Sequence, residues 1–415
     1  MKWQNIQAAA TGEQLPQSDR QLEFFRQMLE REEERTRLEQ EKMAWLCSYT
    51  PVEIIAACNL VPYRLLAADK ETLRADIYLH PTLCSYVRGA LENALSVDGT
   101  TLQGAVLLNS CNAASHLYHS LSTFYSQKFH YFMDLPHDAS PAALDFWAGE
   151  LRQFHRALAR YRGIALRVDT LQEQIVLYHE NRKRMAELYG ERKGEVAVNG
   201  NDLIRLVQAS MLLPASRFRE ILGLFANHAQ KQQEKGHFCR GPRLFLLGSV
   251  LSKVTIDIIE EQGGVLILDD LCMGRRAVTF DAIPAAGEDP YYYLARLYLG
   301  RYPCPRMKGS FAALDELEQL LRDYRIDGVI LYYLKFCDAW YYLGQILKER
   351  IRHIPVLILE GEYTGMGGGG QLRTRIAAFL EMLSQKNSMS AGEACLAPTV
   401  GNRDVGIFRT LDFRL

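Results

Sequence analysis

The second half of the chain alternates between short apolar strands and amphipathic helices, and this alternation restricts the fold more than any other feature. The strand-like runs are RLFLLGS (243–249), VLILDD (265–270), GVILYY (328–333) and VLILE (356–360). Segments with helical periodicity separate them. Continuously apolar strands of this kind are typical of parallel sheets that helices cover on both faces. The pattern therefore predicts a doubly wound α/β domain over residues 239–365.

A similar but less regular pattern occurs in the first half. Strands are predicted at residues 104–110 and 130–136, so residues 46–140 are interpreted as a first α/β domain. Residues 141–238 are rich in amphipathic helix and poor in strand signals, which indicates a helical insert or linker. The expected fold is two doubly wound Rossmann-like parallel-sheet domains with a helical insert and a long N-terminal helix.

The two ends of the chain are predicted to be helical. Ser18 can cap a helix that continues to residue 46, so residues 1–45 are assigned to an N-terminal helical segment. Residues 366–415 are assigned to a C-terminal helix and tail. These assignments complete a division of the chain into five segments.

Composition excludes several classes of protein. Hydrophobic residues make up 48% and charged residues 23% of the 415 residues, as in ordinary globular proteins. The formal net charge is −1, so nothing favours a nucleic-acid partner. The first residues lack the apolar core of a signal peptide, and no run of about 18 uncharged apolar residues occurs. We expect a cytoplasmic protein without a membrane segment.

Nine cysteines need an explanation in a chain without a secretion signal, where structural disulfides are rare. They could be buried apolar residues, reactive thiols or metal ligands, and spacing alone leaves these alternatives open. Their positions are informative, because ligands bind beyond the carboxyl ends of parallel strands. Six cysteines lie after predicted strands or in loops and junctions: Cys47, Cys84, Cys111, Cys272, Cys304 and Cys337. By contrast, Cys58 is predicted to be a core residue, and Cys239 and Cys395 follow no strand.

Several motifs resemble one known family. The second α/β region ends in IPVLILEGEY (354–363), followed by GQLRTRIAAFLEML (370–383). Upstream, PVEIIAA begins at Pro51 and CSYVR at Cys84, while Cys111 stands in NSCN and Cys337 in KFCD. Together these motifs resemble the 2-hydroxyacyl-CoA dehydratase and benzoyl-CoA reductase subunit family, over roughly residues 45–386. Within the family, the similarity is greatest to the double-cubane cluster proteins.

The resemblance implies an oxygen-sensitive iron–sulfur site. Three cysteines bind each cubane in the family, and the matching positions are Cys84, Cys111 and Cys337. The double-cubane branch has three further ligands, which match Cys47, Cys272 and Cys304. The implied cofactor is a double-cubane [8Fe-9S] cluster or, with three ligands alone, a [4Fe-4S] cluster.

The resemblance also implies partners and a catalytic group. Electrons would come from a separate ATP-hydrolysing activator, and this chain contains no phosphate-binding loop of the G-x-x-x-x-G-K-[ST] kind. The chain would form a homodimer, or a heterodimer with a related subunit. Glu53 matches the position of an acid–base glutamate in some dehydratase subunits. It could equally be a carboxylate that stabilises the start of a helix after Pro51.

Three functions remain open at this point. The chain could be a reductase component that reduces a small molecule at a double-cubane cluster, or a 2-hydroxyacyl-CoA dehydratase or acyl-CoA reductase subunit with one [4Fe-4S] cluster. It could also be a non-catalytic electron-transfer or cluster-carrying protein. This chain has Asn112 after Cys111 where the family usually has aspartate, and Glu362 replaces an aspartate of the family. These departures are compatible with a cluster site and leave the substrate undetermined.

Overall fold

The computed structural model describes residues 17–67, 71–96, 101–278, 287–363 and 369–395. Its strands form two separate four-stranded sheets in which all neighbours are parallel. The first sheet contains β1 (Lys42–Trp45), β2 (Val61–Arg64), β3 (Leu102–Leu108) and β4 (Phe129–Met133). The second contains β5 (Arg243–Gly248), β6 (Val265–Asp270), β7 (Gly328–Leu334) and β8 (Val356–Gly361). The expected pair of Rossmann-like α/β domains is confirmed.

The two sheets have the same topology. Their strand orders are β2-β1-β3-β4 and β6-β5-β7-β8, so each half places its first strand between its second and third. The chain therefore reverses its direction of winding between β1 and β3, and again between β5 and β7. Such a reversal opens a crevice at the carboxyl ends of the strands, where ligands bind in this class of fold.

Helices surround both sheets and fill the region between them. In chain order they are α1 (Gln17–Glu39), α2 (Val52–Ala57), α3 (Ser85–Ser96), α4 (Asn112–Phe124), α5 (Pro141–Tyr161), α6 (Val168–Gly190), α7 (Gly200–Ser210), α8 (Ala215–Glu234), α9 (Lys253–Glu261), α10 (Pro290–Leu299), α11 (Leu314–Asp323), α12 (Asp338–Arg350) and α13 (Gly369–Cys395). Helices α5 to α8 form the predicted helical insert. Within the part of the chain that the structure describes, no helix carries a stretch long and apolar enough to cross a membrane.

Helix α5 illustrates why the insert folds as predicted. The Ser140 hydroxyl accepts a hydrogen bond from the amide of Ala143 at 3.3 Å, and Pro141 occupies the first helical position. Trp147, Leu151 and Phe154 recur on one face and are completely buried. This face packs against α10 of the second half, so the insert connects the two sheets.

The N-terminal prediction is wrong in two details. Ser18 lies inside α1, which already includes Gln17, so Ser18 is not its cap. The helix ends at Glu39, and residues 42–45 form the buried strand β1 instead of continuing the helix. The Lys42 side chain explains the break, because its ammonium group donates to the carbonyl oxygens of Arg37 at 2.6 Å and Gln40 at 3.3 Å. Side-chain capping of these last carbonyls ends the helix.

Candidate functional site

Four of the six cysteines singled out above follow strands. Cys47 comes two residues after β1 and Cys272 two residues after β6, whereas Cys111 and Cys337 each come three residues after the third strand of their half. The last two are therefore equivalent positions in the repeated topology. Cys84 immediately precedes α3. All six are partly buried and free of disulfides.

Cys84, Cys111 and Cys337, here called the first cysteine set, each directly precede a helix. The Cys111 sulfur accepts a hydrogen bond from the amide of Ala114 at 3.4 Å, and those of Cys84 and Cys337 accept from amides in the first turns of their helices. Burial raises the pKa of the Cys84 thiol to about 12, and the neighbouring Cys111 and Cys337 add to the rise. The three thiols therefore lie close enough to act on one another electrostatically.

Cys47, Cys272 and Cys304 form a second cysteine set. Burial raises the pKa of the Cys304 thiol to about 12, with further contributions from Cys272 and Cys47. Burial likewise raises the pKa of Cys47, and Cys272 acts in the same direction. A thiol with a pKa of about 12, such as that of Cys304, is neutral at physiological pH, and ligation to a metal would displace its proton.

The two cysteine sets adjoin each other. Burial raises the pKa of Cys337 in the first set, and Cys272 of the second set contributes to this rise. The Ser110 side chain, next to Cys111, hydrogen-bonds the Cys47 thiol. Cys272 and Cys84 both contribute to the raised pKa of Tyr86. Six sulfur atoms from both halves of the chain thus converge on one region.

Arginines supply positive charge at this region. Arg276 is 3% exposed, donates to the Cys272 sulfur at 3.6 Å and forms a buried ion pair with Asp270. Arg301 is 5% exposed, stacks on Tyr49 at 4.0 Å and lowers the pKa of Cys47 against the effect of burial. Such positive charges stabilise thiolates and clusters that are anionic because thiolates ligate them.

The character of the donors identifies the kind of group that fits. Among the described residues, no three His, Cys, Asp or Glu side chains are grouped so that they could hold a single metal ion. An iron–sulfur cluster differs from an ion, because each cysteine binds a different iron atom and the thiols stand farther apart. Soft sulfur donors, amide hydrogen bonds to sulfur and nearby cations all suit such a cluster. The residues therefore fit an iron–sulfur cluster, while ligation by these six cysteines stays a prediction.

The remaining cysteines behave differently. Cys58 is completely buried among apolar residues, which confirms the prediction that it is a core residue. Cys239 is partly buried, and the charged neighbours that act on it are Arg192, Glu260 and Asp202, so it belongs to neither cysteine set. The backbone of Cys395 ends α13, and its side chain lies outside the described residues.

Glu53 lies in a buried polar cluster. Its carboxylate is 0% exposed, pairs with the Arg182 guanidinium and accepts a hydrogen bond from the Tyr298 hydroxyl at 2.9 Å. Arg182 also donates to the Tyr298 hydroxyl at 3.0 Å. Glu53 stands in the first turn of α2, as expected, and its partners come from α6 and α10. The carboxylate therefore links the first sheet domain, the helical insert and the second half.

Sequence reasoning missed the groups around the sulfur atoms. Arg276 is four residues after Cys272, and Arg301 is three residues before Cys304. A basic residue within one turn of a candidate cysteine is a signal that was available, but arginines are frequent on protein surfaces. The hydrogen bond between Ser110 and Cys47 joins segments more than 60 positions apart, so no local pattern could have indicated it.

The chain is similar over most of its length to the proteins of one known family. Residues 47–383 match the family described as 2-hydroxyglutaryl-CoA dehydratase, D-component. The chain is 25% identical over 353 residues to YjiM of Escherichia coli (strain K12), which is named as a dehydratase subunit, covering 81% of this chain and 90% of that protein. It is 23% identical over 359 residues to a benzoyl-CoA reductase subunit of Thauera aromatica, covering 82% and 90%.

A third relative is the (R)-phenyllactyl-CoA dehydratase beta subunit of Clostridium sporogenes, at 21% identity over 347 residues and with 81% and 90% covered. Members of this family carry iron–sulfur clusters in general, and these relatives are named as subunits. The matched region contains all six cysteines of the two sets. This chain belongs to the 2-hydroxyglutaryl-CoA dehydratase D-component family and is an enzyme of the dehydratase or reductase type.

Proposed function

We propose that this protein is the iron–sulfur component of a reductase, with a double-cubane cluster held by Cys47, Cys84, Cys111, Cys272, Cys304 and Cys337. It accepts low-potential electrons from a separate ATP-hydrolysing activator and reduces a small molecule. The observation that carries this proposal is the arrangement of six thiols in two adjoining sets of three. A single cubane would leave the second cysteine set, with its own arginines, without a function.

When bound, the cluster would supply electrons at a potential low enough for difficult reductions. The chain itself holds the sulfur ligands and surrounds them with donors. Amides at the starts of α3, α4 and α12 point hydrogen bonds at the first cysteine set, and Arg276 does so at Cys272. Hydrogen bonds and positive charge stabilise the more negative, reduced state and so favour acceptance of an electron.

A second candidate is a dehydratase or acyl-CoA reductase subunit with one [4Fe-4S] cluster. It is favoured by the special position of the first cysteine set, because only Cys84, Cys111 and Cys337 of the six stand directly before helices in the described residues. The relatives named as dehydratase subunits also support it. In this case Cys47, Cys272 and Cys304 would be structural.

The acid–base role of Glu53 stays a proposal in either case. Its carboxylate is engaged by Arg182 and Tyr298, so exchange of a proton with a substrate would require this polar cluster to open. Assembly as a homodimer, or as a heterodimer with a related subunit, is likewise proposed, with support from relatives that are named as subunits.

The decisive experiment is to purify the full chain without oxygen and to measure iron and acid-labile sulfide per chain. The proposal expects about eight irons, which fall by about half in Cys304→Ala, whereas about four irons that persist in Cys304→Ala indicate the single cubane. Cys239→Ala is the matched control, because this partly buried cysteine lies in neither set and its loss should leave the iron content unchanged. Absence of iron in the wild-type chain would contradict both candidates.

Electron supply is tested separately. With an ATP-hydrolysing activator present, the cluster signal should be reduced only when ATP is hydrolysed, as followed by electron paramagnetic resonance. Reduction that proceeds equally well without ATP would contradict the proposed activator.

A further inference from the structure

Arg64 is a buried arginine at the carboxyl end of strand β2 in the first sheet. It is 1% exposed, and its guanidinium lies over the Trp45 ring at 5.0 Å. The same guanidinium donates to the backbone carbonyl oxygen of Cys272 at 2.5 Å. Cys272 belongs to the second half of the chain and to the second cysteine set. Arg64 therefore reaches from the first sheet to the backbone of one of the six candidate ligands.

The groups that bind the Arg64 guanidinium carry no charge. Besides the Cys272 carbonyl and the Trp45 ring, they are the Met211 sulfur at 3.2 Å and the Tyr86 hydroxyl. Arg64 forms no ion pair with any residue that the structure describes. An arginine side chain stays positively charged even when it is buried. A full charge is therefore buried here against neutral dipoles and an aromatic ring.

Other buried arginines show how such a charge is compensated elsewhere in the molecule. Arg26 is 8% exposed and forms a bidentate ion pair with Asp202. Arg192 is 5% exposed, and each of its three side-chain nitrogens donates to a backbone carbonyl. Arg64 has a single carbonyl partner and no carboxylate. Because buried charges in proteins are paired or belong to metal sites, Arg64 indicates an anionic group that the protein acquires.

The two cysteine sets can supply this group. The guanidinium of Arg64 is bound to the Cys272 backbone. Burial raises the pKa of Tyr86, whose hydroxyl accepts from Arg64, and Cys272 and Cys84 add to the rise. The guanidinium therefore lies where the two sets adjoin. An iron–sulfur cluster bound by thiolates has a net negative charge, and positive charge beside it raises its reduction potential.

We infer that Arg64 is the buried counterion of the proposed cluster and that it also positions the Cys272 backbone through its hydrogen bond. The inference rests on the proposed function, because the thiolate-bound cluster supplies the negative charge. Arg64 should then favour both the retention of iron and the acceptance of an electron. An arginine with a purely structural role would not change the reduction potential through its charge.

Two substitutions separate the charge of Arg64 from its hydrogen bond. Arg64→Gln keeps an N–H donor for the Cys272 carbonyl but has no charge, whereas Arg64→Lys keeps the charge. The test is a redox titration of the iron-loaded protein, followed by electron paramagnetic resonance. At a given potential, the ratio of reduced to oxidised cluster should fall about tenfold in Arg64→Gln, which is about 59 mV for one electron. Arg64→Lys should stay within about threefold of the wild type.

An unchanged ratio in Arg64→Gln, or an equal fall in both variants, would overturn the inference. Retention of iron gives a second readout. Transfer of iron from the anaerobic protein to a chelator should be at least about tenfold faster in Arg64→Gln and nearly unchanged in Arg64→Lys. If Arg64→Gln does not fold, Arg64→Lys decides the question, because a loss of iron about tenfold faster despite the retained charge would overturn the inference.

Arg192→Gln is the matched control. Arg192 is buried and donates to backbone carbonyls, and the cysteine that acts on it is Cys239, which belongs to neither set. Its replacement should lower the melting temperature and leave the potential and the loss of iron unchanged. A fall in potential equal to that of Arg64→Gln would mean that both effects come from a loosened fold, and would overturn the inference.

The same experiments separate this inference from the proposed function. Wild-type protein that holds no iron would contradict the proposed function, and the inference with it. Iron-loaded wild-type protein whose potential and iron loss are matched by Arg64→Gln would contradict the inference alone.

Discussion

At the scale of single residues, Arg276 connects the two cysteine sets. It donates to the Cys272 sulfur, and its guanidinium stacks on the Trp340 ring at 5.0 Å. The backbone amide of Trp340 in turn hydrogen-bonds Cys337. Replacement of Arg276 should therefore change the electrostatics of the proposed cluster, because its positive charge lies next to the Cys272 sulfur.

We expect Arg276→Gln to lower the reduction potential of the cluster, since loss of a buried positive charge makes addition of an electron less favourable. A redox titration followed by electron paramagnetic resonance measures the shift. Arg240→Gln is the control, because Arg240 is an exposed arginine on the surface of the molecule. An unchanged potential in Arg276→Gln, at unchanged iron content, would show that Arg276 serves only to neutralise Asp270.

Glu53→Gln distinguishes structural support from acid–base chemistry. If the carboxylate mainly stabilises the fold, its removal leaves the Arg182 charge buried without a counterion and lowers the free energy of unfolding by about 3–5 kcal/mol. Thermal unfolding of the anaerobic protein measures this loss. We expect the double variant Glu53→Leu with Arg182→Met to recover much of the stability, because neither charge then remains buried. A large loss of activity at unchanged stability would instead favour a catalytic role.

At the scale of elements, side chains from two other helices bind the N-terminus of helix α7. The Glu260 carboxylate of α9 accepts hydrogen bonds from the amides of Gly200 at 2.8 Å and Asn201 at 3.1 Å. At the other side, Asp202 forms a bidentate ion pair with Arg26 of α1 at 2.7 and 2.9 Å. Three helices from distant parts of the sequence therefore meet at one helix terminus.

This junction should make stability depend on pH. Burial raises the pKa of Glu260 from 4.5 to about 7, so between these values the folded protein keeps a proton that the unfolded chain has lost. The contribution of Glu260 to stability must then fall as the pH rises through this window. Between pH 5 and pH 8, the unfolding free energy of Glu260→Gln should therefore decrease less than that of the wild-type protein, by on the order of 2 kcal/mol. Unfolding measured across this pH range tests the difference.

Some dependence of the unfolding free energy on pH should remain in Glu260→Gln, because burial also raises the pKa of Glu33 to about 7. Glu349→Gln is the control, as an exposed glutamate in α12 whose replacement should leave the slope unchanged. An identical pH dependence of stability in the wild-type protein and in Glu260→Gln would contradict the prediction for this junction.

The sequence predicted the elements with strong periodicity and missed two that depend on tertiary contacts, β1 and β2. All four strands of the second sheet were predicted, because apolar runs such as VLILDD are bounded by glycine or by polar turns. Strand β1 was missed because its four residues follow a long charged helix, and only pairing with β2 and β3 makes them a strand. The prediction of α5 to α8 succeeded, because amphipathic helices of this length carry their own signal.

The sequence was sufficient to predict that cysteines form the candidate site and that several of them lie just after strands. Parallel strands carry their carboxyl ends to one edge, which explains why the positions of Cys111 and Cys337 were informative. The grouping into two sets came from the family resemblance, whereas the link between the sets through Cys272 depends on how the two halves face each other, and no local pattern encodes this link. The engagement of Glu53 by Arg182 likewise depends on helix α6, more than 100 positions away in the sequence.

At the scale of the whole molecule, both cysteine sets are shared between the halves. The first set takes Cys84 and Cys111 from the first half and Cys337 from the second. The second set takes Cys47 from the first half and the other two thiols, Cys272 and Cys304, from the second. Neither half alone contains a complete set of three.

We therefore expect loss of the cluster to loosen the contact between the halves. Hydrogen exchange of the anaerobic protein, compared before and after removal of iron by a chelator, should show faster exchange at the starts of α3, α4 and α12. The centres of β3 and β7 serve as internal controls, because they are buried within separate sheets. Equal exchange in both states would contradict a stabilising role of the cluster between the halves.

The sharing of each set has a consequence for biosynthesis. Cys337 lies near the C-terminal end of the described chain, so the first set is complete only after both halves have been synthesised and have docked. Iron inserted earlier would meet at most two of the three thiols of the first set. If the two sets bind the proposed cluster, the protein must reach its folded tertiary arrangement first, and maturation with metal must follow as a late step. Once inserted, the proposed cluster would act as a cross-link that keeps the two sheets from separating.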